Sequence, residues 1–297
     1  MEMHQLRYFI AVAEEQNFTR AAEKCHVSQP SLSTQIQKLE GELGNRLFDR
    51  LGRRVELTPV GTVFEKRART ILMEADNALR EAREIESEVK GSLRIGVTPT
   101  VAPFLLPPVI ETCRSRYPEL QIRIEENLRR TLLENLVNGR LEVVISSYSG
   151  KVAQIDAEPI LQEQLNLVVP RGHALASKER ISISDFKDES LIILGESSAL
   201  GEKVMEFFER NDFEPKTAAY CSQVNTAVAL VHSGIGLAIL PEMARETVST
   251  YDVVFRSMRS LKMARLLFAL THERRYLSSA AREFLKIVRE FVDQREG

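Results

Sequence analysis

Within SQPSLSTQIQK, Gln29, Ser31, Ser33, Thr34, Gln37 and Lys38 fall on the side of a helix opposite Leu32, Ile36 and Leu39. Hydroxyls and carboxamides of this length can exchange hydrogen bonds with base edges, and a lysine reaches phosphate oxygens. Arg50, Arg53 and Arg54, around the turn LGRR, could hold further phosphates. A second set lies downstream: Thr98 and Thr100 directly after LRIGV, Arg129 near the start of a helical stretch, Ser197 and Ser198 before another, and Gln223 with Asn225 after KTAAYCS. Hydroxyls, helix amides and a basic group suit a carboxylate or other small polar ligand, although each of these residues could equally cap a helix or decorate a surface.

The chemistry of catalysis is not assembled by the same reading. His4, His26, His173, His232 and His272 form no ligand-type cluster, so no metal site is expected. There is no GxSxG and no lysine-bearing phosphate loop, and the GIG of SGIGLAILP lacks the context of a nucleotide fingerprint. The expectation is a binding protein without a cofactor rather than an enzyme.

These groups need elements to hold them. Leu6, Phe9, Ile10 and Ala13 recur at helical spacing from His4 to about Gln16, and Phe18, Ala21, Ala22 and Cys25 line a short second helix. Ser28 can cap a third helix whose first turn tolerates Pro30, with Leu32, Ile36, Leu39 and Leu43 facing inward. Leu47, Phe48, Val55 and Leu57 flank the arginine turn as a two-stranded wing would. From Thr58-Pro59 one long helix is expected as far as Lys90, with Val60, Phe64, Arg67, Ile71, Ala75, Ala78, Ala82, Ile85 and Val89 as a self-association stripe. After Gly91, strands and helices alternate, and RLLFALTHE with the final helix is expected to return to the first half. This order favours a largely parallel sheet in two lobes with a ligand cleft between them.

Composition bounds the reading. The 297 residues are 43% hydrophobic and 28% charged, and 40 Lys plus Arg against 42 Asp plus Glu give a formal charge of -2. That excludes a bulk polycation, so any nucleic-acid contact must come from charge placement. Within residues 1–60, Arg7, Arg20, Lys24, Lys38, Arg46, Arg50, Arg53 and Arg54 match eight acids, yet the face of the third helix is free of acids until Glu40. Cys25, Cys113 and Cys221 are widely spaced and contain no CxxC, which fits a reducing compartment. With no secretory start and no run of 18 uncharged apolar residues, the expected location is the cytoplasm, away from membranes.

The stretch NFTRAAEKCHVSQPSLSTQIQKLEGELGNRLFDR, followed by LTPVG, closely resembles the DNA-binding module of LysR-type transcriptional regulators. LRIGVTPT, LLENLVNGRLEVVI and HSGIGLAILP extend the resemblance over almost the whole chain. It implies an N-terminal all-α winged helix-turn-helix (1–58), a linker and dimerisation helix (59–90), and a two-lobed α/β periplasmic-binding-protein-like effector domain (91–297). The first lobe is expected at about 91–165 with 267–297, and the second at 166–266.

It further implies double-stranded promoter DNA, a small anionic or polar effector, a homodimer or homotetramer, and compatibility with RNA polymerase as a partner. Gln29, Pro30, Ser31, Ser33, Thr34, Gln37 and Lys38 inherit a groove-facing role, and Arg53 and Arg54 match the wing. Positions matching the effector region include Thr98, Thr100, Arg129, Ser197, Ser198 and Ala199. Through VTPTVAPFLLP and LIILGESSALGEKVMEFFE the sensor particularly resembles the peroxide-sensing OxyR subgroup, but Ala199 and Phe208 stand where that group carries its redox cysteines. Thr100 matches a threonine associated with peroxide chemistry, whereas Arg129 replaces another. Two alternatives stay open at this level: a thiol-based sensor using Cys113 or Cys221, and an interaction protein that does not bind DNA.

Overall fold

The computed structural model describes residues 1–51, 54–84, 89–148, 152–195 and 198–296. The chain forms two compact units, Met1–Glu86 and Ser87–Gly297.

The first unit holds α1 (Met3–Glu15), α2 (Phe18–Lys24), α3 (Gln29–Leu43), β1 (Phe48–Leu51), β2 (Arg54–Leu57) and α4 (Pro59–Glu84). Local chemistry sets each boundary. Glu2 and Gln5 form a capping box on α1, the Asn17 carboxamide accepts from the Thr19 and Arg20 amides, and the Ser28 hydroxyl caps α3. Leu6, Phe9, Val12, Ala21, Leu32, Ile36, Leu39 and Leu47 meet in one core at 6% exposure or less. The wing is an antiparallel pair with Phe48 opposite Leu57 and Leu51 opposite Arg54. Thr58 locks the start of α4: its hydroxyl donates to the Arg46 carbonyl (2.8 Å) and accepts from the Gly61 amide (2.9 Å). A Cβ at Gly61 would lie 2.1 Å from the Leu47 carbonyl oxygen, so only glycine allows that approach.

The long helix departs from expectation at both its end and its faces. It is described to Glu84, while Val89 and Lys90 lie outside any helix, and Ile85 falls outside the described residues. Val89 packs instead against the core of the second unit, where the strand beginning at Gly91 captures it. Phe64 turns into the first unit's own core beside the fully buried Ala68. Val60, Val63, Arg67, Ile71, Ala78, Leu79 and Ala82 remain exposed.

The second unit runs β3 (Gly91–Val97), α5 (Ala102–Arg116), β4 (Leu120–Glu126), α6 (Arg129–Val137), β5 (Val143–Ser147), β6 (Ile155–Pro170), β7 (Ser190–Leu194), α7 (Ala199–Arg210), β8 (Lys216–Cys221), α8 (Val224–His232), β9 (Leu237–Pro241), α9 (Ala244–Thr247), β10 (Val253–Ser257), β11 (Ala264–His272) and α10 (Ser279–Glu296). The strand order is β4-β3-β5-β11-β6-β9-β7-β8, with β10 also on β6. β3, β4 and β5 are mutually parallel, as are β7, β8 and β9, so each end is a β-α-β layer. β6 and β11 run antiparallel through the middle. Residues 155–164 of β6 pair with β11, and residues 165–170 pair with β9 and β10.

β6 begins at Ile155, ahead of the lobe boundary expected at 165–166, because DAEPILQEQ is mostly exposed and carries a proline, which disguises its pairing with β11. β10 is only five residues long and leaves no separate signal in the sequence. α10 packs on α5 and β3, and so belongs with the first half. Among the described residues no helix is long and apolar enough to cross a membrane.

Candidate functional site

Two surfaces carry the polar groups singled out above. On α3, the buried Leu32, Ile36 and Leu39 fix the helix's rotation, and the opposite face presents Gln29, Pro30, Ser31, Thr34, Gln37 and Lys38 as exposed side chains with Ser33 half-buried. Ser28 holds the entry by accepting from the Ser31 amide (3.4 Å), and the Thr34 hydroxyl donates to the Pro30 carbonyl (2.9 Å), which leaves its lone pairs free to accept. Glu40, the first acid of the helix, is turned to the wing: one carboxylate oxygen accepts from the Leu47 and Phe48 amides at 2.8 and 3.3 Å. Lys24 is drawn away by Glu14 and Glu15, whose hydrogen bonds raise its pKa. Arg50 and Arg54 fall on the paired strands of the wing, and Arg53 lies outside the described residues.

The second surface is a cleft in the sensor unit. A cavity of about 560 Å³ is lined by Arg129 at the start of α6, Ser147 at the end of β5 and Tyr148 just after it, Gln162 on β6, Ala199, Glu202, Lys203 and Glu206 on α7, and Ala264, Arg265 and Leu266 on β11. It therefore draws on both β-α-β layers and on the two strands between them. Arg129 donates across it to Glu202 at 2.7 Å. Lys203 pairs with Glu206 at 3.2 Å, and Arg210 binds the same carboxylate, so the Lys203 ammonium with help from Arg210 holds the Glu206 carboxyl below its ordinary value.

Beneath the cleft lies a buried network. Arg265 binds Glu163 at 2.7 Å and donates to the Thr100 hydroxyl and carbonyl, both at 3.0 Å. The other Glu163 oxygen accepts from the Met243 amide at 2.7 Å. Thr100 is consequently committed to Arg265 and buried, and Thr98 is also buried, with its hydroxyl lacking a hydrogen-bond partner. Ser198 caps α7 by accepting from the Gly201 amide at 2.8 Å. Gly201 lets that turn close, since a Cβ there would lie 2.2 Å from the Leu194 oxygen. Gln223 and Asn225 are exposed at the start of α8 and do not line the cavity. Ser197 lies outside the described residues.

The cavity thus brings together Arg129 and Ala199 from the residues singled out in the sequence. Glu202, Lys203 and Glu206 were missed, although their clustering in the first two turns of a helix that follows a serine cap was a usable signal. Arg265 and Glu163 stand 102 residues apart and left no local trace.

The three cysteines are free. Cys113 is buried and its thiol is pushed up to about 11 by that burial; Cys221 and Cys25 are raised for the same reason. A thiolate, the form that reacts, is therefore disfavoured at all three.

Residues 3–62 match the bacterial regulatory helix-turn-helix of the lysR family, and residues 86–293 match the LysR substrate binding domain. The chain belongs to the LysR family. Members of this family are transcription factors rather than enzymes, and this LysR-type protein is a DNA-binding transcriptional regulator with an effector-binding α/β domain. It is 34% identical over 244 residues to the hydrogen peroxide-inducible genes activator of Dickeya chrysanthemi, covering 82% of this chain and 80% of that protein. It is 31% identical to the regulator AlsR of Bacillus subtilis over 89% of this chain and 87% of that one. A cysteine-to-aspartate variant of full-length OxyR from Pseudomonas aeruginosa superimposes with a TM-score of 0.79 at 28% identity, over 98% of this chain and 94% of that one. The likeness to OxyR does not extend to its redox cysteine pair: Ala199 opens α7 and Phe208 is buried against Phe213 at 4.8 Å between ring centroids.

Proposed function

We propose that this regulator reads promoter DNA with the exposed face of α3 and changes that reading when a small polar or charged effector occupies the cleft around Arg129. The observation that carries the proposal is the cavity itself, which joins α6 of one half to α7 of the other through a single exposed ion pair. A ligand held there bears on both halves at once, the requirement for coupling binding to a change of shape. In this account Gln29, Pro30, Ser31, Ser33, Thr34, Gln37 and Lys38 face the major groove while Arg50, Arg53 and Arg54 hold phosphates.

Self-association as a homodimer or homotetramer through the exposed stripe Val60, Val63, Arg67, Ile71, Ala78 and Ala82 is part of the same proposal. The 26 residues of α4 span about 39 Å, a length suited to separating two reading heads. RNA polymerase is the natural downstream partner. The peroxide response named for the relatives is not carried over, because neither Ala199 nor Phe208 has a sulfur to oxidise.

Footprinting of the full-length protein on random genomic fragments tests the reading. Sequence-selective protection that is lost in Gln37→Ala, with the fold retained, is the expected result. Protection independent of sequence and unaffected by changes on α3 would overturn it.

A further inference from the structure

The cleft is lined by the cations Arg129, Lys203 and Arg265 and the anions Glu202 and Glu206, with Glu163 just beneath on Arg265 and Arg210 also on Glu206. Two of the three pairs are already closed. Arg265 is enclosed by Glu163 and Thr100 in the interior, and Glu206 is shared by Lys203 and Arg210 along the surface of α7. The third pair, Arg129 with Glu202, is the one that crosses the cleft from α6 to α7, and its side chains are 23% and 47% exposed.

A simple carboxylate that takes Arg129 displaces Glu202 and leaves two negative groups side by side with one cation between them. A molecule carrying both a carboxylate and an ammonium avoids that conflict: its carboxylate replaces Glu202 on the guanidinium, and its ammonium gives Glu202 a new partner. Arg129 is the first residue of α6, so the ligand carboxylate also meets the positive end of that helix, while the Glu202 carboxylate, in the first turn of α7, is the group that faces the ammonium. Tyr148 and the half-open Leu266 offer an apolar wall for a side chain, and a cavity of about 560 Å³ accommodates a molecule of that size.

We propose that the effector is a zwitterionic amino acid, bound between Arg129 and Glu202. The inference rests on the cleft being the effector site, and it makes Glu202 the residue that selects for the ammonium.

Isothermal titration of the full-length protein with the twenty standard amino acids, ornithine, β-alanine and γ-aminobutyrate tests it, alongside the des-amino carboxylate and the decarboxylated amine of each binder. At least one amino acid is expected to bind with Kd below about 1 mM, with both stripped partners at least about tenfold weaker. Glu202→Gln should erase the preference over the des-amino carboxylate, and Arg129→Gln should lose both ligands, each with an unchanged urea midpoint. A des-amino carboxylate that binds as tightly as its amino acid overturns the proposal, as does binding by none of the amino acids. In either case Arg129-dependent binding of benzoate, succinate or citrate leaves the cleft reading standing, and silence in both panels removes that reading as well.

Discussion

Two ion pairs, each at 2.7 Å, border the cleft between the halves of the sensor, and their surroundings give them opposite roles. Arg265–Glu163 is 3% and 4% exposed, and every further contact it makes reaches a different part of the sheet: Thr100 after β3 and Met243 after β9. Arg129–Glu202 lies open to the cleft, its side chains 23% and 47% exposed, so solvent competes for both partners. A charge buried without its partner is very costly, whereas an exposed pair is worth little because water replaces either partner at small cost. The first pair is therefore a permanent joint and the second an exchangeable contact, which is the property a ligand site needs.

Replacing one member of the buried pair is the strongest way to break this contrast. Arg265→Met should destabilise the sensor by about 3–5 kcal/mol by leaving Glu163 buried and unpaired, measured as a fall in the urea midpoint, and adding Glu163→Leu should recover much of the loss. Ser198→Ala removes the cap of α7 and should cost about 1 kcal/mol by the same measurement. Glu202→Gln should change stability by less than about 1 kcal/mol; a cost comparable to that of Arg265→Met would erase the distinction between the pairs.

The smallest effect belongs to Glu206, which shares the helix of Glu202 without crossing the cleft. Its carboxyl is held below its ordinary value by Lys203 and Arg210, so its contribution is present above the unfolded pKa, about 4.3, and is lost as pH falls through the lower folded value. Thermal unfolding of wild type and Glu206→Gln should accordingly differ slightly at neutral pH and converge in acid.

How much of this was legible in the sequence follows the same division. α3 could be read because its information is local: Ser28 caps, Leu32, Ile36 and Leu39 set the buried side, and the polar face is what remains. The cleft is non-local. Arg129 carried a local cue at a helix start, but Thr98 and Thr100, which also follow a strand, turn inward, and only the fold shows that Arg265 claims Thr100. Ser198 proved a helix cap, the alternative open from the start for any serine in that position. The end of α4 was misread because nothing in Ile85–Lys90 breaks a helix, and it is the packing of Val89 on the sensor core that takes the residue elsewhere. The polar first half of β6 was hidden because its pairing with β11 depends on a strand about a hundred residues later.

The central claim is that the contact between Arg129 and Glu202 governs how the reading heads engage DNA. Its most direct test is DNase footprinting of full-length wild type beside Glu202→Gln on one protected genomic fragment, without added effector. The account predicts that both protect the same core sequence and that opening the cross-cleft pair alters the length or periodicity of protection around it. Identical footprints for the two proteins would contradict it.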